Sequence, residues 1–362
     1  MRLAYVLKLG LADSSASGVL KKVLFQAETW QALGTETRLF CLTQNLPSKP
    51  VPTSADLDTF PYSGFAARLR QSHALCDAVL AWRPDAVYLR YAAYQPGYRR
   101  LMRAVPTIVE VNSDDVHEMR WFRARNRLYN RLTRSLVLGS AAGLVFVSHE
   151  LSTAAPFRRF TPARVVIGNG IQLTDDVNVN RVFTTDGGPH LICLGSPGAS
   201  WVGADKIIAL ARMRPQWHFD MVGWMDADLG RDLPANVTCH GWQRRGVYEQ
   251  LIMRADVGIG PLALHRNSMS EASSLKVREY LAAGLPVVLA GRDTDFPDGA
   301  DFILQLPNTE SNVIDALPRI DAFVQAMRGR RVARERVAHL DWSVKETDRL
   351  RFIATVIGNS AS

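Results

Sequence analysis

Long apolar runs are missing from this chain of 362 residues. None approaches the ~20 residues that a membrane-spanning helix needs. The opening segment, MRLAYVLKLGLADSS, has one early arginine and a short apolar run that Lys8 interrupts. It lacks a small-residue cleavage site and reads as a first β-strand rather than a signal peptide. Cysteine is scarce. Cys41, Cys76, Cys193 and Cys239 are scattered and show no metal-ligand spacing, so they read as buried free thiols of a cytoplasmic protein. No GxGxxG follows the first strand of either half, which argues against an NAD-linked dehydrogenase. No Ser-His-Asp arrangement and no hydrolase-like carboxylate pair stands out. Ser-Asp-Asp at 113–115 is a poor match to a DxD metal motif, so no metal and no required cofactor is expected.

Acidic residues are short in one half only. Residues 1–180 hold 22 Lys and Arg against 14 Asp and Glu, whereas residues 181–362 hold 21 against 21. The whole excess of positive charge therefore lies in the first half. That asymmetry points to an anionic partner there: a membrane surface, a phosphate-bearing substrate or a nucleic acid. Aromatics do not interleave with the basic residues and no recognition motif accompanies them, so nucleic acid is not expected.

What is present is a repeating alternation. RLAYVLKLG reads as a strand. SGVLKKVLFQAETWQALG follows with apolar residues at helical spacing (Val19, Val23, Leu24, Ala27, Trp30, Leu33) and a stop at Gly34. Strands ETRLFCLT, DAVYLRY, TIVEVN and AAGLVFVS then alternate with helices, the last of them a long one over about 119–138. After a polar stretch, RVVIGNGIQLTDDVNVNRVFTTDGGP, read as a linker, the pattern restarts at HLICLG. The strands are apolar on both faces, as in a doubly wound parallel sheet. The expected organisation is α/β, with two Rossmann-like domains facing a cleft. The first spans 1–180 and the second spans 181–342, with a ligand expected in the cleft between them. A final helix over 343–362 has Ser343 as its N-cap and packs back on the first domain.

One segment carries chemistry: EASSLKVREYLAAGLPVVLAG, residues 271–291. Ser274 is a suitable N-cap for a helix that Gly284 and Pro286 end. Lys276 then falls in the first turn, facing the positive end of the helix dipole, which is unfavourable unless an anion sits there. Free backbone N–H groups and a lysine together hold a phosphate or diphosphate well. Glu279, one turn further in, suits a ribose diol, and Glu271, in the preceding loop, suits a second sugar. An ordinary solvent-exposed helix accounts for the same residues.

The segment resembles the donor-binding segment of family 4 glycosyltransferases, which have the two-domain GT-B fold. Those enzymes carry a Glu, seven residues and a second Glu, here Glu271 and Glu279, before an ending like EYLAAGLPVV. VIGNGIQL, ADVGIGPL, SASGVLKKVLFQAETWQALG and GADKIIALARMRPQWHFDMVG resemble other family segments in the right order. The resemblance implies that Glu271 contacts the transferred sugar and Glu279 the nucleotide ribose. It also implies that Ser274 and Leu275 offer N–H groups to the diphosphate, and that Gly18 lets the N-terminal loop approach the phosphates from across the cleft. Many members have an Arg and a Lys that hold the diphosphate where this chain has Ser196 and Val202. Lys276 is the first candidate to replace them, and Arg244 and Arg245 the second.

On the acceptor side, EVNSDDVHEMRW follows a strand and contains His117, which matches an acceptor-side histidine of the family. Arg120, Arg123, Arg127, Arg131 and Arg134, spaced 3, 4, 4 and 3, share one face of the expected long helix, with Arg99, Arg100 and Arg103 as an extension. They read either as a solvated face or as a surface for anionic lipid or for a lipid-linked phosphate. The resemblance implies a retaining hexosyltransferase in which the leaving phosphate takes the acceptor's proton. The substrates would be a nucleotide-sugar and a glycan or lipid-linked glycan, in polysaccharide or glycoconjugate biosynthesis. The expected location is cytoplasmic, peripheral at the membrane. A catalytically silent GT-B partner protein and a nucleotide-sugar epimerase or hydrolase stay open as alternatives.

Overall fold

The computed structural model describes residues 1–11, 18–44, 46, 53–173, 187–230 and 232–361. It divides into two compact units, one of Met1–Gly168 with Trp342–Ser362 and one of Asn169–Asp341. The boundary expected near residue 180, most of the polar linker and the loop before Gly18 lie outside the described residues.

In the first unit seven strands form one parallel sheet: β1 (Arg2–Lys8), β2 (Glu36–Thr43), β3 (Asp56–Pro61), β4 (Ala86–Arg90), β5 (Thr107–Val111), β6 (Gly143–Phe146) and β7 (Ala163–Val166), in the order 3-2-1-4-5-6-7. The order reverses between β1 and β4, as in a doubly wound sheet. Two strands here were not expected from sequence. β3 is polar, and β7 begins the segment read as linker; both lie at sheet edges, where neither face need be apolar.

The helices of this unit are α1 (Gly18–Ala32), α2 (Gly64–Trp82), α3 (Tyr98–Ala104), α4 (Asp115–Glu118), α5 (Ala124–Leu138), α6 (His149–Thr153) and α7 (Ala155–Arg158). The expected helix over 119–138 is shorter. The Asp114 carboxylate accepts from the N–H groups of Val116 and His117 and caps α4. A 3-10 turn follows over Met119–Trp121, and extended backbone at Arg123 (ψ 147°) interrupts the chain before α5.

The second unit repeats the plan with six parallel strands: β8 (His190–Leu194), β9 (His218–Val222), β10 (Val237–Gly241), β11 (Val257–Ile259), β13 (Val287–Ala290) and β15 (Ile303–Leu306), ordered 10-9-8-11-13-15. β12 (Glu271–Ala272) and β14 (Arg292–Asp293) form a separate short parallel pair. Its helices are α8 (Ala204–Met213), α9 (Asp226–Leu229), α10 (Arg245–Arg254), α11 (Leu275–Ala282), α12 (Asn312–Asp315) and α13 (Leu317–Met327). Each unit has an apolar cluster on both faces of its sheet.

The last helix, α14 (Trp342–Ala361), belongs to the first unit, where Ile353 and Val356 are buried with Leu20, Val23 and Trp30. Each such aliphatic side chain contributes about 1.5–3 kcal/mol by leaving water. Helix α14 starts at Trp342, so Ser343 lies inside its first turn and is not its cap. The ring of Trp342 stacks on Phe25, which favours the earlier start. Among the described residues no helix is long and apolar enough to cross a membrane.

Candidate functional site

In an open doubly wound sheet, ligands bind beyond the carboxyl ends of strands where the strand order reverses. In the second unit that point lies between β8 and β11. The chain leaving β8 is the 195–203 loop, and the chain leaving β11 runs through residues 260–274 into α11. Glu271, Ser274, Leu275, Lys276 and Glu279 all belong to this second segment.

Several contacts fix α11 against the sheet. The Tyr280 hydroxyl accepts from the Leu194 N–H at 2.6 Å, tying the helix to the end of β8. Its ring fills the space over Gly258, where a Cβ would meet ring atoms at 2.6 Å. Arg278 is fully buried. It donates to the Asp293 carboxylate at 2.7 and 2.9 Å, to Asp295 at 2.5 Å, to the Asn169 carbonyl at 3.2 Å and to the Ser273 hydroxyl at 3.1 Å. The Asn169 N–H in turn donates to Ser273 Oγ at 2.7 Å, and its side-chain amide to the Ser273 carbonyl at 2.5 Å. Arg278 thus fixes the chain entering α11 from behind. Sequence reasoning missed it, although its place among the buried residues Val277, Arg278 and Leu281 signals a paired charge.

Glu271 is buried in β12, opposite Arg292 of β14. Gly291 makes this pairing feasible: its φ is +79°, and a Cβ there would stand 2.5 Å from the Ser270 carbonyl oxygen. Ser274 occupies the N-cap position of α11, but its side chain makes no capping hydrogen bond. The first N–H groups of the helix are therefore not satisfied by their cap.

Lys276 is half-buried, and burial lowers its pKa from the usual amine value, opposed by the charge of nearby Glu279. Its ammonium has no hydrogen-bonded or ion-paired partner among the described residues. Arg244 is the exposed N-cap residue of α10, whereas Lys206, Arg266 and Arg245 are engaged. Lys206 donates to the carbonyls of Leu262 and Thr309 and to Asn312 Oδ1 at 3.1, 2.7 and 3.1 Å. Arg266 bridges Asp205 and Glu310. Arg245 is the first residue of α10, and its guanidinium is held by Glu249 at 2.6 Å. Ser196 is exposed in its loop, and Val202 is 4% exposed and packed in the core.

Glu279 is reached by a second residue that sequence reasoning missed. The hydroxyl of Tyr248, on α10, donates to Glu279 Oε1 at 3.4 Å. Burial and the Glu279 charge raise the Tyr248 pKa, so the phenol keeps its proton and acts as a donor.

The first unit carries the remaining expected residues. Gly18 is the exposed first residue of α1. His117 is half-buried in α4, not in an open loop. Arg120, Arg127, Arg131 and Arg134 line one cavity, and Arg123 does not. Arg134 is buried, donating to Asp115 at 3.0 and 2.7 Å and to the Pro156 carbonyl at 2.8 Å. Its charge is paired with that of the buried Asp115, so it is not a free cation for an acceptor or a membrane. Arg120 precedes α5 in the 3-10 turn, Arg123 is the N-cap position of α5, and Arg127 and Arg131 are exposed on it. Arg99, Arg100 and Arg103 line a different cavity, with His73 and Tyr94, and do not extend this patch. Among the described residues no group of three or more His, Cys, Asp or Glu side chains is placed to hold a metal ion.

Comparison with known proteins bears on the fold. Residues 17–170 match the family model described as glycosyl transferase 4-like domain. No curated protein sequence matches the chain. Among solved structures, sucrose-phosphate synthase from Thermosynechococcus elongatus is similar over 100% of both chains, with a TM-score of 0.68 and 15% identity. The lipopolysaccharide outer core galactosyltransferase WaaB aligns over 98% of this chain and 99% of its own, with a TM-score of 0.67 and 10% identity. HepE of Anabaena, solved with UDP and glucose, aligns over 97% and 99%, with a TM-score of 0.61 and 13% identity. The chain has the GT-B fold of these structures, and its residues 17–170 match a glycosyl transferase 4-like domain.

Proposed function

We propose that the chain is a retaining hexosyltransferase. It takes a sugar from a nucleotide-sugar and gives it to a glycan or lipid-linked glycan in polysaccharide or glycoconjugate assembly. The observation that carries this reading is Lys276. It is a partly desolvated ammonium with no protein partner among the described residues, set in the first turn of α11 whose cap leaves N–H groups unsatisfied. A diphosphate supplies the missing negative charge and accepts from those N–H groups. Glu279, oriented by Tyr248, then accepts from the ribose hydroxyls, and Glu271 from the sugar being moved. Ser274 and Leu275 supply the backbone donors, Ser196 lines the opposite loop, and Arg245 stands beside Glu279 and Tyr248. HepE, of similar fold, was solved with UDP and glucose, which makes UDP-sugars the first donors to test.

The leaving diphosphate carries the developing negative charge, so the work of the protein here is electrostatic: N–H groups and Lys276 placed before the bond breaks. On the first unit, His117 is the candidate for contact with the acceptor hydroxyl. Arg120, Arg123, Arg127 and Arg131 are candidates for an anionic acceptor or membrane surface.

The buried Val202 and the uncharged Ser196 favour one other reading, a silent GT-B partner protein. Donor turnover separates the two. Incubated with the nucleotide-sugar that binds, the chain is expected to release or transfer sugar with its anomeric configuration kept, read by proton NMR before mutarotation. An inverted anomer contradicts the retaining mechanism, and binding without turnover supports the silent protein.

A further inference from the structure

The first unit contains an open cavity of about 600 Å3 lined by residues of α4, the 3-10 turn, α5 and α7. Four arginines line it: Arg120, Arg127, Arg131 and Arg159. None of the four has a carboxylate partner among the described residues. Arg127 reaches only the Arg120 carbonyl, at 3.4 Å. Arg159 donates to Ser135 Oγ at 3.0 Å and lies over the Phe160 ring. Arg134 also lines the cavity, but Asp115 cancels its charge, and that pair forms a fixed wall. No carboxylate lines the space.

Four like charges converging on one cavity repel one another, and the repulsion is relieved by an anion of more than one charge. Planar guanidinium forks match phosphate oxygens, and their arrival from α5, the preceding turn and the end of α7 suits a tetrahedral group contacted from several sides. The size is right for a phosphate with its attached group. Leu128 and Leu132, both exposed, stand on the outward side of α5 next to Arg127 and Arg131.

We propose that this cavity is a phosphate site, taking a phosphomonoester or diphosphate of at least two negative charges. The inference rests on the transferase reading only in naming the ligand as an acceptor; the binding itself does not need it. The phosphate can come from a lipid head group, with Leu128 and Leu132 against the acyl region, or from a free phosphorylated saccharide.

The test uses the full chain in two arms. Inorganic pyrophosphate is titrated calorimetrically, and co-sedimentation is measured with phosphatidylcholine vesicles with and without phosphatidic acid. Lys276→Ala removes the donor-site cation and isolates the second site. In that background Arg127→Ala with Arg131→Ala is expected to weaken at least one arm about tenfold or more, since charge-assisted hydrogen bonds are lost. Loss in the vesicle arm alone identifies a head group, and loss in the pyrophosphate arm alone a free phosphorylated ligand. Arg125→Ala, an exposed arginine of the same helix outside the cavity, is expected to change neither. Arg159→Gln tests the same cavity from another element if the double variant melts early. An equal loss in Arg125→Ala, or no loss in either arm from the cavity variants, overturns the proposal.

Discussion

At the scale of single residues, the proposed donor site rests on Lys276, a half-buried ammonium with no ion-pair partner among the described residues. Lys276→Ala is expected to weaken nucleoside diphosphate binding by about 1.5–3 kcal/mol, or tenfold to roughly a hundredfold in Kd. Titration calorimetry measures this directly. The site also has a pH signature. Burial lowers the Lys276 pKa in the free protein, so above that value the ammonium is lost and an anion gains less from it. Diphosphate affinity is expected to fall as pH rises through the alkaline range below the ordinary lysine value. Lys276→Arg, which stays charged, flattens that profile; a profile as steep as the wild type's assigns the titration to another group. Tyr248→Phe removes one donor to Glu279, and a loss of about 0.5–1.5 kcal/mol in nucleotide binding follows.

At the scale of elements, two buried charge clusters hold the chain in place. Arg278 braces α11, and losing it leaves Asp293 and Asp295 buried without their cation. Arg278→Ala is expected to destabilise the second unit by about 3–5 kcal/mol, measured by urea unfolding. In the first unit, Glu110 on β5 is buried beside Lys22 of α1 at 3.0 Å and beside Arg349 of α14. Burial alone would raise the Glu110 pKa, but Lys22, Arg349 and Arg90 outweigh it and hold the carboxyl well below the usual range. A depressed carboxylate stabilises the fold above its unfolded pKa and loses that contribution as pH falls toward its folded one. Unfolding midpoints are therefore expected to drop between about pH 5 and pH 2, and Glu110→Gln reduces the drop. An unchanged pH profile in that variant places the acid sensitivity elsewhere.

The same scale shows what the sequence could and could not reveal. Inner strands such as β6 and β13 were legible because a parallel strand buried on both faces is apolar throughout. The edge strands β3 and β7 were not, since half-exposed residues leave no such mark. The bounds of helix α11 were readable from Ser274, Gly284 and Pro286 alone. The pairing of Arg134 with Asp115, 19 positions away, was invisible to helical spacing, which placed that arginine with its exposed neighbours. Arg278 was missed for the same reason: its partners Asp293 and Asp295 are brought to it by the fold.

For the whole molecule, charge and fold divide the work. The net charge of +8 comes from the first half of the sequence, and the second half is neutral. Binding through the N-terminal arginines is therefore expected to weaken steeply with added salt, as exposed charges are screened beyond about 10 Å at 0.1 M. Diphosphate binding at α11, held partly by backbone N–H groups, is expected to be less sensitive. The account stands or falls on the second unit binding a nucleotide-sugar. The most direct measurement is the melting temperature of the protein with UDP, GDP, ADP, CMP and dTDP and their common sugar conjugates, repeated with Lys276→Ala and Glu279→Ala. A ligand that binds only the native state raises the melting temperature. The account predicts a rise with one nucleotide family in the wild type and its loss in both variants. No rise with any ligand at millimolar concentration, or a rise that both variants retain, contradicts it.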